Sequence, residues 1–300
     1  METKKKKIGF ILNPYAGIGG KAGLKGSDNY KKIEKLLLEG CERTAPKRAE
    51  SCMSKIADLT ASLVAGDKGL VGEKNFSILS APGDMGEALL KKLKIPCDVV
   101  LCPKAHTSSA EDTKLCAQIM KEQGVDLLVF CGGDGTARDI CEAVGTDVTV
   151  LGIPAGVKMY SACYACNPYQ AGEMLAGWLE GKEMSYEMRE VLDIEEKDLD
   201  SRNISPQLYG FLEVLSDGKH LQKAKELDLG SGESATIIAR AAILRMEKDW
   251  VYIIRPGGTT WKIKELLCEN DEQEDTGKKN VHGTVRGVDV IRNGKIILRD

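Results

Sequence analysis

The run Leu127-Leu128-Val129-Phe130-Cys131-Gly132-Gly133-Asp134-Gly135-Thr136-Ala137-Arg138-Asp139-Ile140 constrains this chain more than any other. Its opening residues are continuously apolar and too few for a buried helix, so they read as a strand. Glycines break the strand, and helical spacing resumes near Thr136. Strand, turn and helix in that order put Asp134 at the carboxyl end of a strand. Gly132, Gly133 and Gly135 let the backbone turn tightly and leave its N–H groups uncovered. The helix start adds further donors and the positive end of a dipole, which suits the oxygens of a polyphosphate. A carboxylate in such a place repels phosphate unless it binds a metal or takes a proton from an attacking hydroxyl. The plainer alternative is a turn closed by an Asx hydrogen bond.

Ile8 to Leu12 is a second buried-type strand. It ends at Asn13-Pro14, and glycines follow at 17, 19, 20, 23 and 26, as in a loop lying over a ligand or a loop on the surface. Strands over 76–80, 97–102 and 148–152 alternate with helical stretches, one from Pro46 to about Ala65 and one from a Ser108 or Ser109 cap to near Gly124. That alternation marks a parallel sheet covered on both faces. Ligands of such sheets sit beyond the carboxyl ends of the strands, where Asn13, Pro82 and Asp134 all fall. Lys158, after Ile153-Pro154-Ala155-Gly156-Val157, reads as a phosphate-neutralising or a solvated lysine.

The rhythm changes after about Leu179. Tyr186 to Ile194 alternates as a strand with one wet face, Leu208 to Val214 is another strand, and Glu233 to Lys248 is helical. Asp249 to Arg255 runs into Pro256-Gly257-Gly258-Thr259-Thr260 and a further helix, a second cluster of backbone donors and hydroxyls. Residues 268–280 are acidic, then basic, and read as an exposed connector. Asn293-Gly294 joins two short strands in a hairpin. The expected fold is α/β: an N-terminal doubly wound, mostly parallel sheet over 1–164, then a second, β-rich domain over 165–300. The first binds nucleotide, and the second serves substrate binding or oligomerisation, with its C-terminal end able to pack back on the first.

With 42% hydrophobic and 29% charged residues the chain has the make-up of a soluble globular protein. A net charge of -3 offers nucleic acid or an anionic membrane no general attraction. No stretch reaches the roughly 20 apolar residues of a membrane span, and the basic start leads into a strand instead of a signal core, so a cytoplasmic protein is expected. The ten cysteines then read as reduced thiols. Cys163-Tyr164-Ala165-Cys166 has redox or half-zinc spacing but no second pair, which makes these two buried or spectator thiols.

Gly132 to Thr136 resembles the signature shared by NAD kinases, diacylglycerol and sphingosine kinases and, in looser form, phosphofructokinases. Continued through Ile140, the string looks closer to the ATP-NAD kinase-like branch that includes the acetoin-catabolism X proteins. Asn13-Pro14 is similar to the first nucleotide-contacting motif of the lipid kinases. Gly17 to Asp28 and Ile153 to Ala162 are similar to the NAD kinase-like branch. The resemblance implies a phosphoryl transferase with Asp134 as general base. Gly132, Gly133, Gly135 and Thr136 would position phosphates, and Asn13, Gly17, Gly19, Lys158 and Ser161 would contact nucleotide. Glu190 matches the glutamate of the Asn-Glu pair that holds NAD in NAD kinases, whereas Arg189 departs from the asparagine. Gly258, Thr259 and Thr260 match the Thr-Pro-Thr-Gly-Ser-Thr turn of those enzymes, from which Arg255 and Gly257 depart. By the same resemblance the cofactors are ATP and Mg²⁺, the acceptor is the adenosine ribose 2′-OH of NAD, and the assembly is a homodimer or tetramer. Two rival readings share the turn: a lipid or small-alcohol kinase of the diacylglycerol or sphingosine kinase type, and a sensor that binds NAD(H) without catalysis.

Overall fold

The computed structural model describes residues 5–18, 37–64, 76–101, 108–156, 159–194, 206–222, 232–255, 258–271 and 288–298. Its first sheet grows around two strands, β1 (Lys6–Leu12) and β4 (Leu127–Gly132), which pair in parallel from Ile8↔Leu127 to Leu12↔Cys131. Every residue of β4 is buried. That two-sided burial is why its sequence is continuously apolar and does not alternate.

Outward from β1 lie β2 (Phe76–Ser80) and the short β3 (Asp98–Val99), and outward from β4 lies β5 (Val150–Pro154). A hairpin of β6 (Ser185–Asp193) and β7 (Gln207–Ser216) completes seven strands in the order β3-β2-β1-β4-β5-β7-β6. All neighbours are parallel except β6 and β7. The helices form two layers. One joins α1 (Thr44–Val64) to a later helix, α5 (Pro168–Leu179); the other joins α3 (Ala110–Glu122) to α4 (Asp134–Val144). The short α2 (Glu87–Lys92) lies between β2 and β3 in the chain. This is the doubly wound arrangement expected from the sequence. Successive strands run outward one way from β1, to β2 and β3, and the other way from β4, to β5, so the order of strands reverses between β1 and β4.

Local signals explain the ends of these helices. Ser109 caps α3 through a full capping box with Asp112, and Asn167 caps α5 ahead of a proline at its first position. The helix after the glycine turn starts at Asp134 instead of near Thr136. Its cap is Gly133, whose missing side chain leaves no capping signal in the sequence.

Contacts divide the chain into two compact units, 1–198 with 204–225, and 199–203 with 226–300. The hairpin β6–β7, which follows the expected change at residue 165, therefore lies in the first unit. The second unit is an antiparallel sheet in the order β10-β9-β8, from β8 (Val251–Ile254), β9 (Asp289–Arg292) and β10 (Lys295–Leu298), with α6 (Gly232–Leu244) and α7 (Gly258–Asp271). Asn293 and Gly294 both have positive φ at the β9–β10 turn, as the hairpin reading requires. Of residues 268–280, the first four belong to α7 and the rest lie outside the described residues. Among the described residues, no helix is long and apolar enough to cross a membrane.

Candidate active site

The carboxyl ends of β1 and β4 meet at the point where the strand order reverses. Asn13 N–H continues the ladder by donating to Cys131 C=O at 2.9 Å. Its side chain then works in both directions: Oδ1 accepts from Tyr15 N–H at 3.1 Å, and Nδ2 donates to Thr136 Oγ1 at 3.0 Å. Two motifs more than a hundred residues apart in sequence are thereby joined. Thr136 is buried, and a Cβ on Gly132 would lie 2.3 Å from Thr136 Cβ, so only glycine lets the helix turn back this tightly. Gly133 faces Gly156: a Cβ on Gly133 would lie 3.9 Å from Gly156 Cα, so backbone alone borders that gap. A Cβ on Gly135 would meet nothing nearer than Asp193 Oδ2 at 3.8 Å.

Asp134 is the first residue of α4 and is 9% exposed. Its Oδ2 accepts from Tyr160 N–H at 2.8 Å and its Oδ1 from Ser161 N–H at 2.9 Å. Both oxygens are thus fixed by backbone donors of the segment after β5. Ser161 is buried, and its hydroxyl donates to Leu192 C=O at 2.8 Å while accepting from Leu192 N–H at 3.1 Å. Ser161, expected from the sequence as a nucleotide contact, ties the Asp134 support to β6. Ala162 N–H reinforces that tie by donating to Glu190 C=O at 3.1 Å. Glu190 is therefore brought beside the same segment through its backbone. Its neighbour Arg189 bonds Glu187 two residues back on the same strand, and Arg189 Nε is buried with no hydrogen-bond partner.

Gly17 has φ +80, and a Cβ there would come 2.2 Å from the carbonyl oxygen of Ala155, just past the end of β5. Packing of the first loop against that end accounts for this glycine whether or not a ligand is bound. Gly17→Ala should lower stability by at least about 1 kcal/mol from the backbone conformation alone, with the clash added. A reduced urea midpoint at unchanged slope would show it.

Gly19 and Lys158 lie outside the described residues. Gly258, Thr259 and Thr260 belong to the second unit, where they open α7; Thr259 is exposed, and the Thr260 hydroxyl donates to Arg255 C=O at 2.8 Å. Two cations were missed in the sequence. Arg48 of α1 donates to Pro154 C=O at 3.0 Å, and Arg43 sits 5.0 Å from the centre of the Tyr15 ring while pairing with Asp84 at 2.8 Å. Both border the carboxyl ends of the strands. Their only sequence signal was a charge on or just before an amphipathic helix, which usually means a solvated face. Cys131 and Cys163 are buried free thiols, and Cys166 is an exposed one. Burial pushes Cys131 up to about 12 and Cys163 well above its ordinary value, so neither is a ready nucleophile.

Fold and glycine turn together define a doubly wound α/β protein with its candidate site at the carboxyl ends of the parallel strands, where the strand order reverses. A family model, the ATP-NAD kinase N-terminal domain, matches residues 8–183, and the chain belongs to the ATP-NAD kinase family, a family of ATP-dependent kinases. No curated protein matches the chain.

Proposed function

We propose that this protein moves the terminal phosphoryl group of ATP to the adenosine ribose 2′-OH of NAD, giving NADP. The observation that carries the reading is the position of Asp134, on the first turn of α4 where the strand order reverses, with both carboxylate oxygens fixed by backbone N–H groups. A carboxylate held this way is a preorganised acceptor for the hydroxyl proton. Gly132, Gly133 and Gly135 keep side chains away from the turn, and the α4 amides supply donors for phosphate oxygens.

General base catalysis alone is worth about 10² to 10⁴ in rate, so positioning and charge neutralisation must supply most of the rest. Among the described residues, no group of three or more His, Cys, Asp or Glu side chains could hold a metal ion. Mg²⁺ keeps several waters and binds largely through phosphates, so in this reading it arrives with the nucleotide. When bound, it would neutralise charge on the phosphates being transferred. On the second unit, Gly258, Thr259 and Thr260 at the start of α7 are the proposed phosphate contacts. A cytoplasmic homodimer or tetramer completes the reading.

One observation favours a second reading. Arg189, where NAD kinases place an asparagine, is folded onto Glu187 of its own strand, which fits a protein that binds NAD(H) without phosphorylating it. The deciding experiment incubates the full chain with ATP and Mg²⁺ over NAD, NADH, diacylglycerol and sphingosine, and reads products by mass. Gain of one phosphoryl group by NAD is expected. Phosphorylation of a lipid alcohol instead, or tight NAD binding with no product, overturns the proposal.

A further inference from the structure

We infer that Tyr164 is a positioning residue for phosphoryl transfer: its buried hydroxyl fixes the peptide between Gly133 and Asp134 and so the direction of the Asp134 amide and side chain. The inference rests on the role proposed for Asp134. The hydroxyl donates to Gly133 C=O at 2.5 Å, and the same carbonyl accepts from Ala137 N–H at 3.0 Å. Both acceptor directions of that oxygen are then used. Gly133 needs such help. It caps α4 in an extended conformation, φ -116 and ψ -168, with no side chain to hold its own peptide in place.

Tyr164 is itself immobilised. It is 0% exposed, and its ring fills the space left by Gly152 of β5, where a Cβ would lie 2.5 Å from the ring. The Phe130 ring of β4 packs against it edge-on, with centroids 5.4 Å apart. Its backbone is tied on both sides, by Ala165 N–H to Gly152 C=O, Gly152 N–H to Cys163 C=O, and Gln222 N–H to its own carbonyl. Burial, and after it the charge of neighbours that include Asp134, pushes the phenol well above its ordinary value, so it stays a hydrogen-bond donor. Residues 160–164 therefore hold Asp134 twice. Tyr160 and Ser161 grip the carboxylate, and Tyr164 grips the peptide in front of it. Steric room for the ring is the structural part of this role; direction of the peptide is the functional part.

Tyr164→Phe keeps the ring and removes only the hydroxyl. In the full chain it should lower kcat roughly tenfold while KM for ATP and NAD stays within about twofold, because orientation is lost and binding is not. Amide exchange at Ala137, whose partner is the same carbonyl, should quicken at least about fivefold, with β4 and the rest of α4 unchanged. The melting temperature should move by no more than about 4 °C. A kcat within about twofold of the parent, a rise in KM alone, or exchange that quickens throughout the sheet would each overturn the inference. The exchange measurement needs no turnover. If the parent chain phosphorylates nothing, the phosphotransferase reading fails while the grip on the glycine turn is still tested.

Discussion

Asp134→Asn lowers turnover by at least about a hundredfold, with nucleotide affinity held within about threefold. The substitution keeps the shape of the side chain and removes its capacity to take a proton. It also does something a sequence alone would not reveal. Both oxygens of Asp134 accept from backbone N–H groups, those of Tyr160 and Ser161. Asparagine has one oxygen, so its amide group must face one of these two donors whichever way it is turned. The expected cost is about 1–3 kcal/mol of stability, read as a lower urea midpoint. Loss of turnover must therefore be measured well below the unfolding transition, where the folded fraction is complete. A merely structural aspartate would give normal turnover per folded molecule. Near-normal turnover under those conditions removes Asp134 from the chemistry.

How much of this site the sequence shows depends on whether a contact is local. The strand-turn-helix at Leu127 to Ile140 is visible because β4 is buried on both faces and its glycines are adjacent in sequence. The capping box at Ser109 is visible for the same reason, since its partners are three residues apart. Asn13 to Thr136, Tyr164 to Gly133 and Ser161 to Leu192 are not visible. Each joins a side chain to a distant strand end, and nothing in residue type distinguishes a hydroxyl that touches a ligand from one that holds a neighbouring strand. Ser161 is one of these long-range ties, its side chain bonding the backbone of β6 in both directions. The change of rhythm after Leu179 has an equally physical cause. β6 and β7 are the antiparallel edge of the large sheet, with Val191, Leu212 and Val214 buried on one face and Tyr186, Met188 and Phe211 exposed on the other. Such strands alternate where β1, β4 and β5 do not.

Asp289→Ala should cost the second unit about 3–5 kcal/mol. Lys264 of α7 and Asp289 of β9 form an ion pair at 3.2 Å with side chains only 2% and 1% exposed. Among the described residues, the buried apolar core of that unit is Ala239, Ile263, Leu267 and Ile291. Taking two charges out of water is expensive, and the pair is imperfect, because Asp289 Oδ2 makes the ionic contact without meeting the geometry of a hydrogen bond. Removing the carboxylate takes a buried counter-charge away from the Lys264 ammonium while the ammonium itself stays out of water. The same argument predicts the opposite for the double replacement. Lys264→Met with Asp289→Leu removes both charges and fills their volume with apolar groups, so it should recover most of the loss and could exceed the parent's stability. Amide exchange in β8, β9 and α7 is the measurement, since it reads this unit separately from the large sheet. If Asp289→Ala leaves that protection unchanged, the pair is not what holds the unit together. If the double variant is as unstable as the single one, the charges contribute net stability, and the ranking of desolvation over attraction used here is reversed.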